Sequence, residues 1–302
     1  MTMTKTRSLP MTRGRVTALV IGVPVALVLI GVVSLSIVAA LAPVTVRVDR
    51  TVTLKGATAG VAVDNPSLTL NASHATGRQV LVRGTVTGAF TQPIVDLRTT
   101  VTGVAVHSHC VVPTGDCSGA LDVTVPGALP VLASDGSGNL NASGLHGKVT
   151  LSDGSGSLTA ARLSGTISIS DGAGDISATG LSGSSITISE QSGDLTATGV
   201  SGGTVGLSNS AGDITVSDLA ATDMTGRDGA GNITVTFTAV PRRVDVVDSS
   251  GDITLILPRG PVYYRVSTQI TNGSGSVSVR RSPSSPYVID ASADSGNITI
   301  EY

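Results

Sequence analysis

The chain has 302 residues, of which 40% are hydrophobic and only 13% charged, so it is too apolar to remain a solvated coil. Aromatic residues make up 2% and Trp is absent, while the net charge is −2; neither a stacking platform nor a basic footprint for nucleic acid is present. Glycine, at 37 positions, argues against a helical protein.

Residues 1–15 carry Lys5, Arg7, Arg13 and Arg15 without an acid, and residues 16–42 follow as an uncharged run rich in Val, Leu, Ile and Ala. About 20 such residues in a helix cross the roughly 30 Å hydrocarbon core of a bilayer. The run is therefore predicted to be one N-terminal transmembrane helix acting as a signal anchor; Gly22, Pro24 and Gly31 are compatible with it. The unopposed basic tail predicts a cytoplasmic N-terminus, with everything after residue 42 extracytoplasmic in a single-pass protein of the cell membrane. A cleaved signal peptide is the alternative, because Ala40-Leu41-Ala42 resembles a cleavage site. Against it, the apolar run exceeds a signal-peptide core, and Pro43 follows the cut. Both readings export the rest of the chain.

Residues 43–130 alternate apolar and polar side chains in short stretches, among them 44–48, 51–54, 80–82 and 121–125, without an evident repeat. They are expected to be strands that cap the membrane-proximal end of the region 131–302. The two cysteines, Cys110 and Cys117, bracket a loop containing Pro113 and Gly115. In an exported domain this predicts a structural disulfide, contributing about 2–3 kcal/mol. A metal site built from His107, His109 and both thiols is the rival, but the spacing is not that of a zinc site and no second cluster accompanies it. No metal and no cofactor are expected.

From residue 131 to 302 a tripeptide recurs: Gly138-Asn139-Leu140, Gly156-Ser157-Leu158, Gly174-Asp175-Ile176, Gly193-Asp194-Leu195, Gly212-Asp213-Ile214. Gly231-Asn232-Ile233, Gly251-Asp252-Ile253, Gly275-Ser276-Val277 and Gly296-Asn297-Ile298 continue it. Two residues after each aliphatic comes another apolar residue, from Ala142 and Ala160 to Val279 and Ile300, with Asn, Ser or Thr between. This alternation is that of a strand with one face buried. Leu145, Leu163, Leu181, Val200 and Leu219 mark corners, and second strands follow at Val149/Leu151, Ile167/Ile169, Ile186/Ile188, Val205/Leu207 and Val244/Val246. Met224 followed by Gly226 breaks that rule. Such units cannot bury their own aliphatics, so they are predicted to stack as an all-β solenoid of about 19-residue coils rising about 4.8 Å each. The exchange of Ala for Val, Leu and Ile at the second inward position predicts a core that widens toward the C-terminus. The closing residues 298–302 are expected at the far end, with Glu301 blunting its edge. The Gly-Asp/Asn element reads as a turn rather than a calcium ladder, because too few carboxylates recur to supply six to eight oxygens.

The membrane segment, the Cys-containing strand region, Val123-Thr124-Val125-Pro126, and the repeats Ser192-Gly193-Asp194-Leu195, Ser250-Gly251-Asp252-Ile253 and Ser295-Gly296-Asn297-Ile298 together resemble the bacterial "putative-adhesin" family. That family is a β-strand-repeat domain of unknown function. The resemblance implies an exported or membrane-tethered β-solenoid-like protein and brings no catalytic residues with it.

Convergent chemistry is not evident in the sequence: His74, His107, His109 and His146 are separated from any acid partner pattern, and the acids stand singly. No enzyme is expected. The leading expectation is a membrane-anchored, adhesin-like or cell-envelope structural protein whose partners are the membrane and a surface or envelope ligand, not nucleic acid. Two alternatives stand beside it. One is a polysaccharide-active β-helix enzyme. The other is an ice-binding-type surface made of Thr rows such as Thr196/Thr198, Thr215/Ser217 and Thr234/Thr236.

Overall fold

The computed structural model describes residues 43–54, 60–65, 69–75, 77, 79–88, 92–100, 103–109, 117–126 and 129–302. The expected tail in 1–15, the expected anchor in 16–42 and Cys110 lie outside these residues. Among the described residues every regular element is a strand, and no helix is long and apolar enough to cross a membrane.

The strands stack in parallel as a two-sheet β-solenoid. One sheet contains Leu140–Ser143, Leu158–Ala161, Ile176–Thr179, Leu195–Thr198, the first part of Ile214–Asp228, Ile233–Phe237 and Ile253–Ile256. The other contains Val131–Asp135, His146–Asp153, Ser164–Asp171, Ser182–Glu190, Ser201–Asn209, the second part of Ile214–Asp228, and Arg243–Ser250. Each coil donates one strand to each sheet and turns back through a glycine corner.

The repeated aliphatics form one column. Leu140, Leu158, Ile176, Leu195, Ile214, Ile233, Ile253 and Ile298 pair in succession across neighbouring strands, and all are buried. The corner residues Leu145, Leu163, Leu181, Val200 and Leu219 are buried as well. All belong to one continuous core. The first sheet passes from Ala142, Ala160, Ala178 and Ala197 to Val216, Val235, Leu255 and Ile300, and in several coils the second sheet offsets the change. Where the first sheet carries Ala160, Ala178 and Ala197, the same coils carry Leu151, Ile169 and Ile188 in the second. Where it carries Val235 and Ile300, the second carries Gly226 and Ala291. In these coils a large residue in one sheet faces a small one in the other, as close packing favours, whereas Ala133/Ala142 are both small and Leu207/Val216 and Val246/Leu255 both large. The exception at Met224 follows the same rule: its Cε lies 3.1 Å from where a Gly226 β-carbon would stand, so the long side chain fills the space that glycine leaves.

Chain order and spatial order part company at both ends. Near the N-terminus, Gly60–Asn65 lies between Gly103–His109 and Val131–Asp135, and Thr69–Ala75 lies between Cys117–Pro126 and Leu140–Ser143. The strand-rich region therefore adds two coils to the stack, bringing its length to roughly 50 Å at about 4.8 Å per coil. Val44–Thr53, Gln79–Gly88 and Ile94–Thr100 run antiparallel over that end and cover its edges.

At the other end, Val288–Ser295 and Ile298–Glu301 are inserted between Arg243–Ser250/Ile253–Ile256 and the outermost coil, Arg265–Asn272/Gly275–Val277. The C-terminal strand is thus internal, and the expectation that it forms the distal edge is corrected. The register of the outermost coil also differs from the tripeptide alignment. Gly275 faces Ile298 and Val277 faces Ile300, so Gly273 takes the corner position that the spacing assigned to Gly275.

Candidate functional site

The corner glycine is set by contact as much as by conformation. At Gly174 and Gly193 φ is +148°, and a β-carbon there would sit 1.5 and 1.6 Å from the carbonyl oxygen of the glycine one coil below. Only glycine lets successive corners approach this closely.

The Asp or Asn after each glycine forms an exposed ladder. Asp175 Oδ1 accepts the Asp194 amide N–H at 3.0 Å, Asp194 Oδ1 that of Asp213 at 2.9 Å, and Asp213 Oδ1 that of Asn232 at 2.8 Å. Asn232, Asp252 and Asn297 extend it to Asp252, Asn297 and Ser274. The turn reading holds in a modified form, because each side chain caps the next coil's backbone rather than its own. One oxygen of each, Oδ1, is committed to an amide, and among the described residues no group of three or more His, Cys, Asp or Glu is gathered as a metal site.

Acids that stand singly in the sequence form a second column in the structure. Asp135, Asp153, Asp171, Glu190, Asn209, Asp228 and Asp248 close successive strands of the second sheet and are all buried. The signal was present: each stands three residues before a corner glycine. Their work is local. Asp171 Oδ1 accepts the Gly172 amide at 2.7 Å, Glu190 Oε1 accepts those of Gln191 and Ser192 at 3.0 Å, and Asp248 Oδ1 accepts that of Ser250 at 3.0 Å.

Burial raises the carboxyl pKa of Asp153, Asp171, Glu190 and Asp248, opposed by nearby amides. Asp228 goes furthest, pushed up to about 6 by burial and then by the Asp248 charge. The Gly229 and Ala230 amides favour its charged form, yet neither is aligned to make a hydrogen bond to its oxygens. Asn209, the neutral member, instead donates Nδ2–H to the Gly193 carbonyl at 2.8 Å.

The outer face of the first sheet carries Thr196, Thr215, Thr234, Thr254 and Thr299 in register. The neighbouring column does not stay hydroxylic: Thr236 is followed by Ile256 and then Glu301. His107 and His109 stand with ring centroids 5.1 Å apart. Cys117 opens its strand opposite Gly88, and the proposed pairing with Cys110 falls outside the described residues.

All four tyrosines gather at the distal end, a concentration the composition concealed. Tyr264 is fully buried with an unpartnered hydroxyl, and burial raises its pKa to about 12. Tyr287 packs edge-on against it at 6.3 Å. Tyr263 is 52% exposed.

These features define a two-sheet β-solenoid held by glycine corners, an exposed Asx ladder and a buried column of mostly acidic side chains. Residues 119–301 match the Toastrack domain family, DUF4097, and the chain belongs to that family, whose function is unknown. This agrees with the β-repeat group read from the Ser-Gly-Asp elements. Among solved structures, a "putative adhesin" from Parabacteroides merdae is 10% identical, covering 86% of this chain and 96% of that one with a TM-score of 0.38. A "putative cell adhesion protein" from Clostridium sporogenes is 12% identical, covering 85% and 99% with a TM-score of 0.22. No curated protein sequence matches the chain.

Proposed function

We propose that the protein is a membrane-tethered, extracytoplasmic rod with an adhesin-like role, holding a binding surface away from the cell membrane. The observation that carries this reading is the in-register stack itself. It repeats hydroxyl and amide groups along a rigid shaft, and the described chain enters at the end covered by antiparallel strands. Repeated weak contacts on a stiff scaffold suit multivalent attachment to a surface. The anchor reading rests on the uncharged run in 16–42 behind a basic tail. Binding rather than catalysis is favoured because Asp171, Glu190 and Asp248 accept turn amides and the acids of this column lie one per coil inside the stack. The ice-binding alternative draws support from one Thr column only, since Ile256 and Glu301 interrupt its neighbour.

The test is retention of cells bearing the full chain on isolated cell-wall material and on host extracellular matrix, against cells lacking it. Fractionation with and without alkaline carbonate, and protease shaving of intact cells, check the tether and the exposed side. Equal retention of both cell types, or a chain protected from protease in intact cells, would sink the reading.

A further inference from the structure

The outermost coil and its loops differ in charge from the shaft, and the acids nearest to them, Asp290, Asp294 and Glu301, stand in the coil beneath. Residues 253–289 contain no acid and carry Arg259, Arg265, Arg280 and Arg281, all exposed. Among the described residues none of the four is in an ion pair, whereas Arg243, two coils inward of Arg265, is held by Asp290 at 3.2 Å. Along the shaft the exposed corner presents the carboxylates of Asp175, Asp194 and Asp213 in succession and, beyond Asn232, that of Asp252.

The distal end also contains a built groove. An open cavity of about 610 Å³ lies between two loops and is lined by residues including Tyr263, Arg281, Ser282, Ser284 and Tyr287. Its walls are tied together. The Tyr264 amide donates to the Arg280 carbonyl at 2.8 Å, the Ser282 amide to the Tyr264 carbonyl at 2.9 Å, and Ser285 Oγ donates to the Tyr263 carbonyl while accepting the Tyr287 amide. Pro261, Pro283 and Pro286 restrict the same loops. A groove held in this way needs little ordering on binding.

Resting on the adhesin-like reading, we infer that this tip groove is the ligand-contact site and that it takes an anionic polysaccharide. The Arg281 fork in the groove matches a carboxylate bidentately, with Arg280 adjoining it in the chain, and the exposed Tyr263 ring offers an apolar face to a sugar ring. The groove's serine hydroxyls suit sugar hydroxyls. The acidic shaft repels the same polymer, so contact is confined to the end of the rod. A single exposed ring is a poor platform for consecutive bases, which disfavours single-stranded nucleic acid.

The experiment uses the full chain in detergent micelles, with polygalacturonate, neutral dextran and oligothymidylate as probes in a titration followed by thermophoresis. Polygalacturonate should bind and dextran should not. The Arg280→Gln/Arg281→Gln variant should weaken binding about tenfold, and Tyr263→Ser about threefold, consistent with loss of charged hydrogen bonds and one ring contact. Arg227→Gln, an exposed cation on the shaft, should leave it unchanged. Circular-dichroism melts confirm that each variant folds. Equal weakening by Arg227→Gln, equal binding of dextran, or tighter binding of oligothymidylate than polygalacturonate overturns the inference. Cell retention that survives the Arg280→Gln/Arg281→Gln change would refute the tip while leaving the adhesin-like rod standing.

Discussion

Replacing Asp228 by Asn tests whether the buried carboxylate column opposes folding at neutral pH. The Asp228 carboxyl is raised from an ordinary 3.8 to about 6, so the folded state binds its proton more tightly than the unfolded chain does. Its contribution to stability is therefore greatest below the unfolded value and is lost as pH rises through about 6. The displacement corresponds to a penalty of about 3 kcal/mol above that pH. Part of it is carried by Asp248, so Asp228→Asn should recover about 1–3 kcal/mol at pH 7.5. Asn209 shows how an amide fits this position, since its Nδ2–H reaches the Gly193 carbonyl; at 228 the matching acceptor is the Gly212 carbonyl. At about 2–4 °C per kcal/mol, the melting temperature of Asp228→Asn should rise by roughly 2–12 °C at pH 7.5. Melts followed by circular dichroism from pH 7.5 to 5 should show the wild-type protein gaining stability on acidification and the variant gaining less. A variant that melts lower than wild type at pH 7.5, or a wild type that melts lower at pH 5, would refute the reasoning.

Gly193→Ala places a methyl group against the Gly174 carbonyl and forces an L-residue to φ +148°, so a loss of about 3 kcal/mol or more is expected in thermal or denaturant unfolding. Asp194→Ala removes the acceptor of the Asp213 amide and should cost about 1 kcal/mol, whereas Asp194→Asn keeps an acceptor and removes a like charge from the row. Melts at low and high salt separate those two effects. Tyr264→Phe deletes a buried hydroxyl without a partner and should stabilise by about 1 kcal/mol, read as a higher unfolding midpoint.

Much of the fold was legible because the unit is local and repeated. A period-two apolar pattern and a recurring glycine dictate a strand and a corner, and repetition dictates stacking, since no single unit can cover its own aliphatics. The column from Leu158 to Ile253 follows from those rules alone. The acidic column was also written in the sequence, three residues before the corner glycines from Gly138 to Gly251, but burial gives it meaning and burial belongs to the assembled coil.

Tertiary structure alone decided what depends on non-local pairing. An exposed parallel edge accepts whichever strand reaches it, so chain order does not determine stacking order. Hence Ile298–Glu301 lies inside the stack and Gly275–Val277 outside it. The same placement gathers Tyr263, Tyr287, Arg265 and Arg281, dispersed along the chain, at one end of the rod. Within the core, Met224 compensates Gly226 because packing density constrains the volume of a coil and not the identity of each position in it.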